Sequence, residues 1–265
     1  MEPTARACFT FDNMAEAADI GAGALDGPLR GRLHASLEIG FPRIYGLLER
    51  HGIRATFFVE GWNGAHHNAA VAEIPARGHE LGMHGWVHET WHELSAEREA
   101  RLARDATEAL ERAAGIRPRG FRAPGGRRSA TTTGILRTLG YEYDASLGTG
   151  MEPGLLAADL AQVPFVWPGV DGYYYLRPEP VPPARVLEGW LKALERVAAD
   201  GGLFVLICHA FITGVVDERL AVLDEIMRTA ASDRRLRIVT TGELAAELLG
   251  PSPRSAPTAP TITQN

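Results

Sequence analysis

Cysteine is nearly absent from this chain of 265 residues, with only Cys8 and Cys208 present. Each sits inside an apolar run ("ARACFTF" and "LFVLICHA"), so a disulfide framework is excluded and two buried thiols in a reducing compartment are expected. Apolar runs of membrane-spanning length are also missing, as is a basic, apolar leader in "MEPTARACFTF", which points to a cytoplasmic protein with no membrane role. Neither sign of charge dominates: 27 basic and 33 acidic residues give a formal net charge of -6. No basic footprint for nucleic acid or anionic lipid results, and a small-molecule substrate fits better. There is no internal repeat and no linker. The Pro-, Ser- and Thr-rich "GPSPRSAPTAPTITQN" has little to bury, so residues 1–249 are read as one catalytic domain and 250–265 as a disordered tail.

What is present is an alternation of short apolar runs with amphipathic helices. "ACFTF", "ATFFV", "HELGMH", "GFRAP", "YEYDASL", "AQVPFVW", "LFVLICH" and "RIVTT" read as strands. Helical faces recur at Phe41, Ile44, Leu47 and Leu48, at Leu102, Ala106, Ala109, Leu110 and Ala113, at Val186, Trp190, Leu191, Leu194 and Val197, and at Leu220, Leu223, Ile226 and Met227. Gly52, Gly78, Gly115, Gly140 and Gly201 mark helix ends, and Thr240 with Glu243 forms a capping box. This pattern predicts an α/β fold, a closed or nearly closed parallel barrel, with an open doubly wound sheet as the alternative.

In such a barrel, functional groups sit at the C-terminal ends of strands. The polar residues found there are Asp12 and Asn13 after "CFTF", His84 and His88 after "ELGM", Arg122 with Pro124-Gly125-Gly126 after "GF", Asp171 after "VPFV", and His209 after "FVLIC". Each also has a bland role: a turn or cap for Asp12, an ordinary ion pair for Arg122, a satisfied strand-end imidazole for His209. The pair His84 and His88, four apart on a presumed helical turn, fits one metal ion or an accident of composition. Their shared rim favours function. His34, His51, His66, His67, His79 and His92 are read mostly as solvated, and Trp62, Trp86, Trp91 and Trp167 as either packing or the walls of a ligand pocket.

The motifs "TFDN" (10–13), "HGWVH" (84–88), "FRAPGG" (121–126), "VPFVWPGVDGYYY" (163–175) and "LFVLICH" (203–209) resemble, in order and spacing, those of the polysaccharide deacetylase superfamily, the NodB-homology fold. The form of residues 84–89 and 163–175 is similar to the branch holding metal-independent allantoinases and cyclic imidases. The resemblance spans residues 6 to 249 and implies a distorted (β/α) barrel of seven strands with a divalent metal, commonly zinc. It implies His84, His88 and Asn13 as metal ligands, Asp12 as general base, His209 as general acid, and Arg122 as the group that orients Asp12. Trp86, Pro124, Gly125, Trp167 and Asp171 are expected to contact substrate, and a homo-oligomer is expected.

Asn13 departs from the family pattern, which usually has a second aspartate there, so the site has one negative charge fewer and should hold zinc more weakly, or work without metal. Asp12, Glu16, Asp19 and Glu89 are the alternative third ligands. Ala210 replaces a frequent proline. The long connection 14–40 is expected to fold over the barrel mouth or serve a subunit interface. The leading functional expectation is removal of an acyl group from an amino sugar or related small molecule. Hydrolysis of a cyclic amide or imide comes second, and a barrel that binds without turnover third.

Overall fold

The computed structural model describes residues 5–250, so the expected tail from 251 onward lies outside the described residues. Its centre is a nine-stranded sheet built from β1 (Ala5–Asp12), β2 (Thr56–Val59), β3 (Glu80–Met83), β4 (Gly120–Phe121), β5 (Tyr143–Asp144), β6 (Gly154–Ala157), β7 (Leu160–Gln162), β8 (Gly202–His209) and β9 (Leu236–Ile238). The strands β8, β1, β2, β3, β4, β5 and β7 lie side by side in that order, all parallel. They are short and almost wholly buried, as strands covered on both faces must be, and this is why they stand out as apolar runs.

The sheet curls until its ends meet. Beyond β7 the chain makes one bridge back to the β5 side, Leu147 to Phe165, and one forward to β8, Val170 to Ile207. A single bridge at that seam makes the ring a distorted barrel rather than an open doubly wound sheet. Two strands stand apart from the seven. β9 pairs with Ala5–Ala7 of β1, below the place where Thr10–Asp12 pair with β2. β6 runs antiparallel to β7; "GLLA" is half-exposed and its hairpin has no Gly or Asn turn signal, so it is not legible as a strand in the sequence.

Helices Phe41–His51, Ala96–Ala114, Pro183–Asp200 and Asp217–Ser232 turn the faces read from the sequence to the core, with Ala113, Leu191, Val197 and Leu220 only partly buried at its edge. The five expected helix-end glycines all have positive φ, and the Thr240 and Glu243 capping box is present. Cys8 and Cys208 are buried and free. They occupy adjacent strands, but Cys8 pairs with Val205 and Cys208 with Phe11, which places the thiols several rungs apart.

The 14–40 connection runs across the strand-end side of the barrel. Its path is fixed by two close approaches: a side chain on Gly21 would strike the Val87 carbonyl, and one on Gly40 the Ala210 carbonyl. Val87 precedes His88 and Ala210 follows His209, so the connection is packed against both loops that carry the imidazoles.

Candidate active site

The register of β1 and β8 sets Asp12 directly beside His209. His84 and Arg122 follow β3 and β4 immediately. A cavity of about 320 Å³ opens over these strand ends, lined by Asp12, His84, His88, Arg122 and His209.

Arg122 is 1% exposed and lies against the Phe58 ring, 4.1 Å from its centroid. Its Nη1 donates to Asp12 Oδ1 at 2.7 Å and to Thr10 Oγ1 at 2.8 Å, while Nε donates to the Ala145 carbonyl at 2.9 Å. Burial alone would push the Asp12 carboxyl up, but the Arg122 guanidinium outweighs it and holds Asp12 below the usual carboxylate range. Asp12 is therefore ionised and held in one orientation.

His209 has an equivalent support. Its Nδ1 lies 2.6 Å from Asp171 Oδ1, and its backbone N–H donates to Asp171 Oδ2 at 2.8 Å. Asp171 is fully buried and accepts further hydrogen bonds from Gly172 N and Thr213 Oγ1. Burial disfavours a charged His209, but the field and hydrogen bond of Asp171, with Asp12 beyond, reverse that and raise its pKa. Asp171 occupies Nδ1, which leaves Nε2 free on a ring that lines the cavity and whose charged form is favoured.

His84 is the opposite case. Burial pushes it down to about 3, so the ring is neutral, and Nδ1 lies 2.9 Å from the Arg122 carbonyl, which fixes the proton there and leaves an Nε2 lone pair. His88, also lowered by burial, lies with its ring centroid 5.1 Å away at 62°. The two are not on a helix as expected. They flank a turn in which Glu89 accepts from the Trp86 and Val87 N–H groups and His88 takes a left-handed φ of 64°, a conformation that costs a non-glycine residue free energy.

Among the described residues no group of three or more His, Cys, Asp or Glu side chains is placed to hold a metal. Glu16 is engaged by Leu29 N and His67, Asp19 by His34, and Glu89 by its own turn. Asn13 Oδ1, by contrast, is buried with no hydrogen-bond partner. Two neutral imidazoles and one orphaned amide oxygen fit a divalent cation as an uncharged donor set, although Asn13 does not itself line the cavity.

Of the expected substrate contacts, Gly125 and Trp167 line the cavity, whereas Trp86, Pro124 and Asp171 do not. Trp86 packs against the hydrophobic core and closely approaches Gly61. Pro124 is buried and approaches Gly85, and Asp171 is spent on His209. Trp62 and Trp91 are buried. Most of the histidines read as solvated are half-buried instead: His67 pairs with the buried Glu16 and His51 with Asp224, and His79 stacks on Tyr45.

One residue was missed. Glu60 follows β2, between Asp12 and His84 around the rim, and is fully buried. Its Oε2 accepts from Met14 N and Asn63 Nδ2, its Oε1 has no partner, and burial, reinforced by Asp12 and Glu89, pushes it up to about 8. The strand-end rule that found Asp12 also points to Glu60.

A distorted parallel barrel with an arginine-held aspartate, an aspartate-held histidine and paired imidazoles on one rim defines a hydrolase-type constellation. A family model described as polysaccharide deacetylase matches residues 7–143, and the chain belongs to that family. The match includes Asp12, Asn13, His84, His88 and Arg122, and ends before Asp171 and His209. A peptidoglycan deacetylase of Helicobacter pylori is 31% identical over 110 residues, 42% of this chain and 38% of that protein; the chain thus spans well under half the length of this relative. A Mycobacterium smegmatis crystal structure provisionally assigned as a polysaccharide deacetylase covers 100% of this chain and 96% of its own at 26% identity, with a TM-score of 0.86. An allantoinase structure shares the fold, with a TM-score of 0.75 at 18% identity, covering 92% of this chain and 89% of that one.

Proposed function

We propose that this protein hydrolyses a non-peptide C–N bond, removing the acyl group from an N-acylated small molecule in the cytoplasm. One observation carries the reading: Asp12 and His209, register neighbours facing one cavity, are each held by a separate buried partner, Arg122 favouring the carboxylate and Asp171 the imidazolium. That is the arrangement hydrolysis of an amide requires. Asp12, ionised by Arg122, accepts the proton of the attacking water. His209, protonated through Asp171, gives its proton to the departing amine nitrogen, which otherwise leaves poorly. Arg122 and Asp171 do not touch the reacting atoms; they fix orientation and charge.

His84 and His88, with Asn13 as the third donor, are the residues that would hold a divalent metal. Such an ion, when bound, supplies Lewis acidity toward the carbonyl and the water. An uncharged donor set binds such an ion less tightly than one containing a carboxylate. Zinc should therefore be removable by a mild chelator and restored by titration, with His84→Ala abolishing uptake and Asn13→Asp tightening it. Equal zinc uptake by the wild type and His84→Ala, measured by elemental analysis, contradicts this assignment.

The cyclic-amide alternative would use the same base and acid and differs only in which bond is presented. A panel of linear N-acetylated amines and cyclic imides tests the activity as a whole. The expected result is one carboxylic acid formed per substrate consumed, with an amine released from a linear amide or a ring-opened half-amide formed from a cyclic imide, and with turnover abolished in His209→Ala. Binding without release in both proteins would make this a ligand-binding barrel.

A further inference from the structure

Seven large apolar side chains are exposed among the described residues, and three of them, Trp167, Tyr173 and Leu176, line the cavity that holds Asp12 and His209. Leu176 is 66% exposed, Trp167 40% and Tyr173 39%, whereas Asp12, His84 and Arg122 are 5% or less. The cavity therefore has a polar floor at the strand ends and an apolar outer wall. Exposed apolar surface grouped at one cavity is a binding feature, since scattered residues would not converge there.

The wall is held in shape by its own contacts. Phe165 meets Trp167 edge to face at 5.6 Å. The Arg177 guanidinium lies over the Tyr173 ring at 4.4 Å, and its Nε donates to the Tyr173 carbonyl at 2.7 Å. Among the described residues no carboxylate, amide or guanidinium side chain lines this outer part, and the side-chain polar atoms it offers are the Trp167 indole N–H and the Tyr173 hydroxyl.

The position of the wall assigns it to one side of the scissile bond. Tyr173 and Leu176 follow Asp171, the residue that holds His209, and Val170 bridges to Ile207 two residues before His209. The group seated there is the one attached to the nitrogen that His209 protonates. A sugar ring in that place would find few side-chain partners for its hydroxyls, whereas an apolar group covers the exposed Trp167, Tyr173 and Leu176 faces. A cavity of about 320 Å³ is also near the small end for ligand sites.

We propose that the amide cleaved here bears an aromatic or compact alkyl group on its amine side, seated on Trp167, Tyr173 and Leu176, and that an amino sugar is disfavoured. This rests on the amide-hydrolase reading above. It also narrows the sequence-based expectation, in which the amino sugar leads.

The test compares N-(2-phenylethyl)acetamide with N-acetylglucosamine and its β-1,4-linked dimer, which share the acetyl group. The wild type should favour the phenylethyl amide by about 10- to 200-fold in kcat/KM, the range one apolar contact group confers. Trp167→Ala and Leu176→Asn, both at exposed positions, should erase most of that preference by raising KM for the aryl amide alone. Preference for the sugars, or an equal effect of the variants on all three substrates, overturns the proposal. Calorimetric binding to His209→Ala separates the two readings. Aryl amide bound selectively and lost in Trp167→Ala, with no amide turned over by the wild type, removes the hydrolase reading and retains the apolar ligand. Sugar bound as tightly as the aryl amide, or neither bound, removes the apolar-ligand proposal.

Discussion

Asp12→Asn is expected to lower kcat by about 100- to 10,000-fold, the range typical of losing a positioned general base. The substitution preserves shape and leaves an oxygen for Arg122 Nη1, which now donates to Asp12 Oδ1 at 2.7 Å, so substrate affinity should change little. Its amide cannot accept the proton of an attacking water at neutral pH. A second consequence concerns stability: Arg122, 1% exposed, loses the carboxylate that offsets its charge, so the melting temperature should fall as well. Steady-state kinetics and a thermal melt on the same sample separate the two effects. A folded Asp12→Asn enzyme with wild-type kcat would remove Asp12 from the chemistry.

Arg122→Ala should have the larger effect on stability, about 3–5 kcal/mol, which is a substantial part of the total for a domain. The cost is not simply three lost hydrogen bonds. Asp12 would remain buried without the cation that overcomes its desolvation, and the Ala145 carbonyl and Thr10 hydroxyl would lose a donor. The Asp12 carboxyl would then titrate higher, and activity would require a higher pH. Arg122→Lys keeps the charge, but one ammonium cannot reproduce a guanidinium that bonds Ala145 through Nε and Asp12 through Nη1. It should fall between the wild type and alanine in urea midpoint. An Arg122→Ala midpoint equal to that of the wild type would show that the pair contributes nothing to the fold.

Much of this site was legible in sequence because a parallel barrel converts linear position into place. Asp12, His84, Arg122 and His209 each follow an apolar run, and strands buried on both faces are the most visible elements a sequence offers. What escaped was decided by contacts between distant segments. Asp171 holds His209 from 38 positions earlier in the chain, and nothing local marks that pairing. Trp86 and Pro124 stand within the motifs yet turn inward, because the turns after β3 and β4 pack against each other at Gly85. Glu60 was missed although it follows "ATFFV", since a lone glutamate at a strand end also reads as a cap. The antiparallel β6 and the low placement of β9 against β1 depend on pairing geometry that composition does not encode.

The pH dependence of kcat/KM for the wild type and Asp171→Asn tests the division of labour between base and acid most directly. The active form needs Asp12 ionised and His209 protonated, so activity should be lost on the acid side as Asp12 gains its proton and on the basic side as His209 loses its own. Because Asp171 raises the His209 pKa above its ordinary value, the basic limb of the wild type should lie above the usual histidine range. In Asp171→Asn the buried ring keeps its desolvation penalty but loses the opposing charge, so that limb should move to lower pH while the acid limb moves far less. A basic limb unchanged by Asp171→Asn would contradict the assignment of His209 as the acid.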